Sequence, residues 1–350
     1  MIKVLIVDDS KLIRALLAQM VSSAPDMMVV GEAEDPFEAR DKIKVLNPDV
    51  ITLDIEMPKM NGITFLRNLM RLRPMPVVMI STLTAEGAPI TLEALSIGAV
   101  DFLEKPKANV ASELPRYTES LLEKLRAASQ ARIYRPVTKS KESEQRATAV
   151  QQNWDNLSFK VNHLVAIGAS TGGTEAIKEV VTRLPASFPA VVITQHIPPV
   201  FSTTYAERLN RISNMLVYEA SDGQQIINGS VYIAPGDRHL RVVKRGSRLY
   251  CQLDDSPPVN RHRPSVDVMF ESIGGIMAKQ TTAVMLTGMG ADGARGMLQL
   301  RQSGGYTIAQ NEASCVVYGM PKAAVELGAV EKDLPLDRIT QALIQAAVRT

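Results

Sequence analysis

Short apolar runs alternate with amphipathic stretches through the first 125 or so residues. The apolar runs are rich in Val and Ile and comprise Val4–Val7, Met28–Val30, Val50–Leu53, Val77–Ile80 and Val100–Leu103. The stretches between them carry apolar residues at helical spacing, as in Lys11–Val21, Phe37–Leu46 and Thr64–Leu72. Strands that alternate with helices predict a parallel sheet covered on both faces. Right-handed crossovers then place the loops that follow the strands along one edge of that sheet.

This pattern stops between Arg132 and about Lys160, where the chain is polar and shows neither the helical nor the strand period. Such a segment is typical of an exposed linker. We therefore predict three parts: a first domain over residues 1–125, an interdomain linker over 126–160 and a second domain over 161–350.

The alternation resumes in the second domain. Strand-like runs are LVAIG, AVVIT, SVYIAP, TAVMLTG and YTIAQ, and helical spacing returns in Glu175–Leu184, Phe201–Ile212, Val266–Met277, Ala294–Arg301 and Ile339–Val348. Residues Asp237–Leu253 are typical of a hairpin that turns at Arg245-Gly246-Ser247. The sequence predicts a second α/β domain, doubly wound around a mainly parallel sheet.

Composition narrows the class of protein. Hydrophobic residues make up 45% of the chain and charged residues 22%, which excludes wholesale disorder. The formal net charge of +2 is too small to predict strong electrostatic attraction to nucleic acid or to a membrane surface. No uncharged apolar stretch of about 20 residues is present, and the amino-terminal run is too short for a signal peptide. With two cysteines, a reducing compartment is the simpler interpretation. We expect a cytoplasmic protein without membrane insertion or a nucleic-acid partner.

Five chemically active side chains follow predicted strands of the first domain. Asp8 and Asp9 end the first strand, Asp54 ends the third, Ser81 follows the fourth and Lys105 follows the fifth. Such strand ends converge where ligands bind. Crowded carboxylates repel one another, and a hard cation such as Mg²⁺ relieves that repulsion. Asp54 would then attack a phosphoryl donor while the metal and Lys105 stabilise the transferring oxygens. A solvated surface explains any one of these residues equally well, but not all five together.

These residues closely resemble the response-regulator receiver family, in the segments VDDS, LDIEMPKMNG, ISTLT and DFLEKP. The resemblance implies a flavodoxin-like, five-stranded parallel sheet of order 2-1-3-4-5 and a histidine kinase as phosphodonor. It also implies roles for single residues. Asp54 is the phospho-acceptor, Mg²⁺ is held by Asp8, Asp9, Asp54 and the backbone carbonyl of Glu56, and the switch residues are Ser81, Phe102 and Lys105.

A glycine-rich turn dominates the second domain. The run from Gly168 to Gly172 places Ser170 between a strand and a helix, and it matches the G-x-S-x-G pattern of serine hydrolases. Such a turn exposes the serine hydroxyl above a helix amino terminus. Glycine-rich turns of this kind also cradle phosphates, so the motif alone leaves a nucleophile and a phosphate site equally open.

A serine nucleophile needs a base, and the chain has four histidines. His163 begins the strand that leads to Ser170, so it lies at the far end of that strand. His239 falls in the hairpin, and His262 stands between arginines that would depress its pKa. His196 follows the next strand at the sheet edge where Ser170 emerges, and it is the best candidate.

The third member of such a site is a carboxylate at another strand end. Asp292 lies in a glycine-rich turn after the strand Ala283–Leu286, where it would accept a hydrogen bond from Nδ1–H of His196. An Asp before a helix is equally typical of an N-cap. The exposed backbone N–H groups of Met289 and Gly290 would form an oxyanion hole.

Residues 161 to about 345 resemble the catalytic domain of the chemotaxis protein-glutamate methylesterase family. The matching runs are IGASTGGTEA, ITQHIPP, YIAPGD, PPVNRHRPSVD, LTGMGADGARG and QNEASCVVYGMP. Together with the receiver, the resemblance covers the chain apart from the linker. It implies a phosphorylation-activated hydrolase that demethylates glutamate methyl esters and deamidates certain glutamines on chemoreceptors, with no cofactor for the ester chemistry.

By the same resemblance, Ser170 is the nucleophile, His196 the general base, Asp292 the orienting acid and the Met289 amide an oxyanion donor, assisted by Thr171. The order Ser, His, Asp differs from the Ser, Asp, His order of α/β-hydrolases, which indicates a separate fold that converged on the same chemistry.

Two alternatives and one motif remain. A DNA-binding output domain would need a basic face and a recognition helix, whereas residues 161–350 are rich in strands and nearly neutral. A nucleotide-binding output domain would use the Ser170 turn for phosphate.

Asn153-Trp154-Asp155 resembles the receptor-tail peptides that family enzymes recognise, although a linker Trp that packs on a domain is the favoured interpretation.

Overall fold

A computed structural model of the chain describes residues 1–82, 87–105, 114–133, 154 and 157–349. The chain divides into two compact units, residues 1–137 and 138–350. Most of the predicted linker lies outside the described residues, including Asn153 and Asp155 beside the half-buried Trp154.

The first unit is a five-stranded parallel sheet of order β2-β1-β3-β4-β5, as predicted. Its strands are β1 (Ile2–Val7), β2 (Met27–Ala33), β3 (Val50–Asp54), β4 (Val77–Ser81) and β5 (Asp101–Glu104). Its described helices are α1 (Lys11–Ser22), α2 (Pro36–Leu46), α3 (Gly62–Leu72), α4 (Ala88–Ile97) and α5 (Leu114–Ser129). Helix α5 continues past residue 125, because Leu121, Leu125 and Ala128 bury one apolar face at helical spacing.

Local chemistry fixes the ends of these helices. Asp35 accepts hydrogen bonds from the N–H groups of Phe37 and Glu38 and caps α2. Gly62, which opens α3, lies so close to β3 that an added Cβ would be 2.0 Å from the carbonyl oxygen of Asp54. Only glycine permits this approach. The site at the end of β3 is therefore tightly packed against α3.

The second unit contains a seven-stranded sheet of order β15-β14-β13-β6-β7-β10-β8, whose neighbouring strands all pair in parallel. Its strands are β6 (Leu164–Ala169), β7 (Ala190–Gln195), β8 (Leu216–Glu219), β10 (Ser230–Ile233), β13 (Thr281–Met285), β14 (Tyr306–Gln310) and β15 (Lys332–Leu334). Its described α-helices are α6 (Gly173–Val181), α7 (Pro199–Ile212), α8 (Val266–Met277), α9 (Ala294–Gln302), α10 (Met320–Glu326) and α11 (Leu336–Ala347).

The second unit also contains a small antiparallel sheet of order β11-β12-β9, in which β9 is Gln225–Ile226. The predicted hairpin is confirmed: β11 (His239–Arg245) pairs with β12 (Arg248–Asp254), and Gly246 turns between them with a φ of 62°.

The core of the second unit joins the sheet to α8. Met269 and Phe270 of α8 are fully buried in one apolar cluster with Ala166, Val192 and Met285 from three strands. This packing fixes the amino terminus of α8 beside the carboxyl ends of β6, β7 and β13. Among the described residues, no helix combines the length and apolarity required to cross a membrane.

Candidate active site

Three adjacent central strands carry the predicted catalytic residues at their carboxyl ends. Ser170 directly follows β6 and His196 directly follows β7, while Asp292 stands in the turn between β13 and α9. Because β13, β6 and β7 are neighbours in the sheet, their following loops meet at one edge. The fold thereby unites residues that lie more than a hundred positions apart in sequence.

The three side chains form one hydrogen-bonded row. The Oγ atom of Ser170 lies 3.1 Å from Nδ1 of His196, and Nε2 of His196 lies 2.9 Å from Oδ2 of Asp292. The expected orientation of the imidazole was wrong, because Nε2 rather than Nδ1 faces the carboxylate. The backbone N–H of His196 donates to the carbonyl of Ala169, 3.2 Å away, which holds the His196 backbone beside Ser170. Nδ1, the ring nitrogen nearer to the backbone, therefore lies beside the Ser170 hydroxyl. The far nitrogen then reaches Asp292.

Asp292 is buried and surrounded by donors. Oδ1 accepts hydrogen bonds from Asn260 Nδ2 and Ser265 Oγ, both at 2.7 Å, and Oδ2 accepts one from the Val266 N–H at 2.6 Å. Burial by itself would raise the pKa of Asp292, but the hydrogen bonds from His196, Asn260 and Ser265 hold that pKa well below its ordinary range. The carboxylate is therefore charged whenever the protein is folded near neutral pH.

Asp292 does not cap the helix that follows it, but it accepts a hydrogen bond at the start of a different helix. Val266 opens α8, so Asp292 satisfies an amino-terminal N–H of α8, whereas the N-cap of α9 is Gly293. Asp267 of α8 returns the interaction, because its Oδ1 accepts from Gly296 N–H in α9 at 2.7 Å. Asp292, in the turn before α9, thus lies at the positive end of α8, and Asp267 of α8 lies at the positive end of α9.

Asn260 joins these two carboxylates. Its Nδ2 donates to Asp292 Oδ1 and to Asp267 Oδ2, each at 2.7 Å. Burial and the nearby charge of Asp292 raise the pKa of Asp267. No sequence pattern indicates this network, because Asn260 lies in an irregular loop and Asp267 has an ordinary position in a helix.

The turn around Ser170 is fixed by its backbone and by Gln195. Ser170 N–H donates to Thr287 O at 3.1 Å, and its carbonyl accepts from Gly173 N–H at 2.7 Å. Gln195 Nε2 donates to the carbonyls of Ser170 and His196, at 3.0 and 3.1 Å. The buried Gln195 amide therefore links the backbone of Ser170 to that of His196.

Glycines make room for this turn. Gly172 has a φ of 76°, in the left-handed region, and an added Cβ would lie 2.7 Å from Val316. A Cβ on Gly288 would lie 2.8 Å from the Cβ of Ser170. The β13–α9 turn therefore lies directly against Ser170.

Met289 and Gly290, the predicted oxyanion donors, follow Gly288 in that turn. Gly288 O accepts from the N–H groups of Gly319 and Met320, at 3.1 and 2.8 Å, which fixes this peptide. Within the described parts of the chain, neither the Met289 nor the Gly290 N–H has a hydrogen-bond acceptor. Both are thus available to a substrate oxygen.

The remaining histidines differ in their surroundings. His163 is buried at the start of β6, with Nε2 at 3.1 Å from Thr282 Oγ1, and burial together with the Lys160 charge lowers its pKa to about 4. His239 is buried, and its Nδ1 accepts from Ser265 N–H at 3.1 Å. His262 is different, because its ring stacks on that of His196 with centroids 3.7 Å apart and an interplanar angle of 13°.

The first unit gathers its predicted residues at the carboxyl ends of β1 and β3. Carboxylate oxygens of Asp8, Asp9 and Asp54 lie within 4.8 Å of one another. Lys105 Nζ is 2.8 Å from Asp54 Oδ2 and 3.3 Å from Asp8 Oδ2. Burial, with the Asp8 charge in addition, raises the pKa of Asp54 to about 6, although the Lys105 ammonium opposes this shift.

These carboxylates fit a hard divalent cation. Asp8 Oδ2 is buried and, within the described residues, accepts no aligned hydrogen bond, since Lys105 contributes only an ion-pair contact there. A cation would satisfy that oxygen and relieve the repulsion that burial intensifies. Glu56 is exposed, and its backbone N–H hydrogen-bonds to Asp54.

The predicted switch residues lie nearby. Ser81 is buried at the end of β4, where its Oγ lies 3.3 Å from Thr91 Oγ1. Phe102 is buried in β5, and the ammonium of Lys124 lies 5.9 Å from the centre of its ring.

Comparisons with known proteins agree with this architecture. Residues 165–343 match the family model of CheB methylesterase, and residues 4–113 match that of the response regulator receiver domain. A protein-glutamate methylesterase/protein-glutamine glutaminase of Saccharophagus degradans is 53% identical over 99% of both chains. Another, from Xanthomonas campestris pv. campestris, is 51% identical over 98% of this chain and 96% of its own.

A solved structure matches the second unit. The CheB methylesterase catalytic domain of Thermotoga maritima is 40% identical, with a TM-score of 0.52, and the match covers 53% of this chain and 99% of that one.

Proposed function

The chain belongs to the CheB methylesterase family, and from this premise we propose how its two units work. It is a protein-glutamate methylesterase and protein-glutamine glutaminase of chemotaxis, with a receiver domain ahead of the catalytic domain. We propose that its ester chemistry uses Ser170, His196 and Asp292. The observation that carries this proposal is the row of hydrogen bonds that links the three side chains at 3.1 and 2.9 Å.

The first half-reaction acylates Ser170. The charged Asp292 holds the proton of neutral His196 on Nε2, which leaves the lone pair of Nδ1 directed at the serine hydroxyl. His196 takes the hydroxyl proton as Oγ attacks the carbonyl carbon of a γ-glutamyl methyl ester. The bond to the methoxy oxygen then breaks, and that oxygen receives the proton from His196 and leaves as methanol.

The second half-reaction releases the product. Water gives a proton to His196 and attacks the acyl carbon, the bond to Ser170 Oγ breaks, and the proton returns to Oγ. A glutamate side chain results. In both steps the N–H groups of Met289 and Gly290 would stabilise the oxyanion of the tetrahedral intermediate. Deamidation of glutamine follows the same route with ammonia as the leaving group, and it is slower because an amide is the poorer acyl donor.

The alternative phosphate site at Ser170 is not favoured. A phosphate cradle uses backbone N–H groups and a positive helix end, and it needs neither an imidazole nor a buried carboxylate. Here the hydroxyl is engaged by His196, and the negative charge of Asp292 lies directly behind that ring. A DNA-binding role is not favoured either, because the output domain is built on a seven-stranded sheet.

The receiver would regulate this chemistry through Asp54. We propose that the protein is cytoplasmic, that a chemotaxis histidine kinase supplies the phosphoryl group, and that the cytoplasmic regions of chemoreceptors are the substrates. Asp8, Asp9, Asp54 and the carbonyl of Glu56 would hold Mg²⁺, which neutralises phosphoryl charge when bound. Lys105, at 2.8 Å from Asp54, would stabilise the phosphoryl oxygens, and Ser81 would donate a hydrogen bond to the acyl phosphate.

Methanol release from methylated receptor membranes tests the serine mechanism and the receiver assignment separately. Ser170→Ala should lower kcat by about 10⁴- to 10⁶-fold, because the nucleophile is lost. Asp54→Ala should keep the basal rate but abolish stimulation by a small phosphodonor with Mg²⁺. Substantial methanol release by Ser170→Ala would refute the serine mechanism. Stimulation that persists in Asp54→Ala would instead refute the receiver assignment alone.

A further inference from the structure

A tight turn directly precedes α8 and faces the catalytic row. Val259 N–H donates to His262 O at 3.1 Å, and His262 N–H donates to Val259 O at 2.9 Å. The two central residues, Asn260 and Arg261, have φ values of 50° and 67°. We refer to residues 259–262 as the 259–262 turn.

The backbone of this turn is strained for its sequence. Two consecutive positive φ values are typical of a type I′ turn, in which glycine is strongly favoured at the second central position. Arginine occupies that position here, and a side chain with a Cβ rarely adopts this conformation. Such strain persists only where the surrounding structure fixes the backbone, and it clusters at functional sites.

The side chains explain what the turn fixes. Asn260 directs Nδ2 to the carboxylates of Asp292 and Asp267, each at 2.7 Å. His262, two residues later, lays its ring parallel to that of His196 at a centroid distance of 3.7 Å. One short turn therefore contacts both the base and the acid of the catalytic row, on sides that the nucleophile does not use.

We propose that Asn260 and His262 are positioning residues, which hold Asp292 and His196 in the geometry that serves Ser170. This inference rests on the proposed serine mechanism. The imidazole of His196 must accept a proton from Oγ and deliver it to the leaving oxygen without swinging away. A flat ring packed on its face limits rotation about the side-chain bonds, while the Asn260 amide prevents Asp292 from turning toward other donors.

Substitutions that separate shape from chemistry test the proposal. His262→Ala removes the stacked ring, whereas His262→Phe keeps a flat ring without a titratable group. Asn260→Gly removes the amide but suits the left-handed backbone, so the turn itself is preserved. The full-length chain is used throughout, with methylated receptor membranes as substrate and a small fluorophosphonate as a direct reporter of Ser170 reactivity.

We expect His262→Ala and Asn260→Gly each to lower kcat by about 10- to 100-fold while KM stays within about twofold, since substrate contacts are unchanged. The labelling rate of Ser170 should fall in parallel, and His262→Phe should recover most of the loss. Unchanged kcat in both variants, or a His262→Phe enzyme as impaired as His262→Ala, would overturn the proposal. Ser170→Ala is measured alongside, because activity in that variant would refute the serine mechanism rather than the positioning role.

Discussion

Two histidines at opposite ends of the central strands show how the surroundings of an imidazole determine its role. His196, after β7, has a serine hydroxyl on one ring nitrogen and a carboxylate on the other. His163, before β6, has a threonine hydroxyl on Nε2 and the Lys160 charge nearby, and its pKa falls to about 4. Burial and the Lys160 charge disfavour the protonated form of His163. His163 therefore serves the fold as a neutral polar group.

His163 predicts a pH dependence of stability. Its folded-state pKa of about 4 is lower than its ordinary value of 6.5, so the unfolded chain binds the proton more tightly. Its contribution is complete above pH 6.5 and is lost as the pH falls toward 4. Between pH 7.5 and 5 the loss should be about 2 kcal/mol in the free energy of unfolding. Urea denaturation of residues 157–350 at both pH values measures it.

His163→Gln is the matched control for that measurement, because glutamine can still reach Thr282 but does not titrate. The variant should lose about 2 kcal/mol less than the native domain over the same pH range. An identical pH dependence in the two proteins would contradict the assignment.

At the scale of elements, the crossed caps of α8 and α9 are the distinctive feature. Asp292 precedes α9 but accepts from Val266 of α8, and Asp267 of α8 accepts from Gly296 of α9. The positive ends of both helices thus converge on two carboxylates that the Asn260 amide bridges. The orienting acid of the active site is held by helix packing as well as by its own loop.

This pairing predicts that Asp267→Ala affects both stability and catalysis. Loss of the carboxylate leaves an N–H of α9 without its acceptor, and should cost about 1–2 kcal/mol in the free energy of unfolding. Asp292 also loses a neighbour that fixes Asn260, so kcat should fall. Asp337→Ala is the control, since Asp337 is an exposed acid in the first turn of α11. That change should stay within about 0.5 kcal/mol and leave kcat unaltered. Equal effects of the two changes would disprove the special role of Asp267.

Sequence patterns predicted the central strands of the sheet in the second unit, but they missed its edge strands and its shortest helix. The central strands β6 and β7 are six residues long, wholly buried and mostly apolar, so their runs are easily recognised. The edge strands β8 and β15 contain four and three residues, and their mixed composition has no readable period. Helix α10, with seven residues, is also too short to establish one.

The position of each residue relative to the strands explains what could be predicted of the candidate site. Ser170 and His196 directly follow strands, so topology alone brings them to one edge. Asn260, His262 and Gln195 act through side-chain directions in loops and at a strand end, which no period encodes. The orientation of the His196 ring also depends on the position of its backbone beside Ser170, which no sequence pattern shows, and here the expectation was wrong.

At the scale of the whole molecule, the two units each use the carboxyl edge of a parallel sheet. One edge gathers three carboxylates and Lys105, and the other gathers the serine, imidazole and carboxylate row. The receiver can influence the hydrolase only if the two states of Asp54 favour different conformations of the chain. The regulation that we propose would therefore be a property of the intact chain.

Deletion of residues 1 to about 145 should raise the basal methylesterase rate, because it removes the unphosphorylated receiver that we propose to restrain the catalytic domain. Methanol release by residues 146–350 and by the full chain, at equal concentrations and without phosphodonor, measures this. Full-length Asp54→Ala is the control and should remain at the basal rate. Equal or lower activity in a folded truncated protein would exclude restraint by the receiver.

The location of the catalytic row at the ends of β13, β6 and β7 determines when the enzyme loses activity as it unfolds. Two strands flank this trio on each side, β14 and β15 on one and β10 and β8 on the other. Fraying begins at sheet margins, where the backbone has fewer partners. Heat or denaturant should therefore release the outer strands while turnover continues, and inactivation should come abruptly, when the middle of the sheet melts.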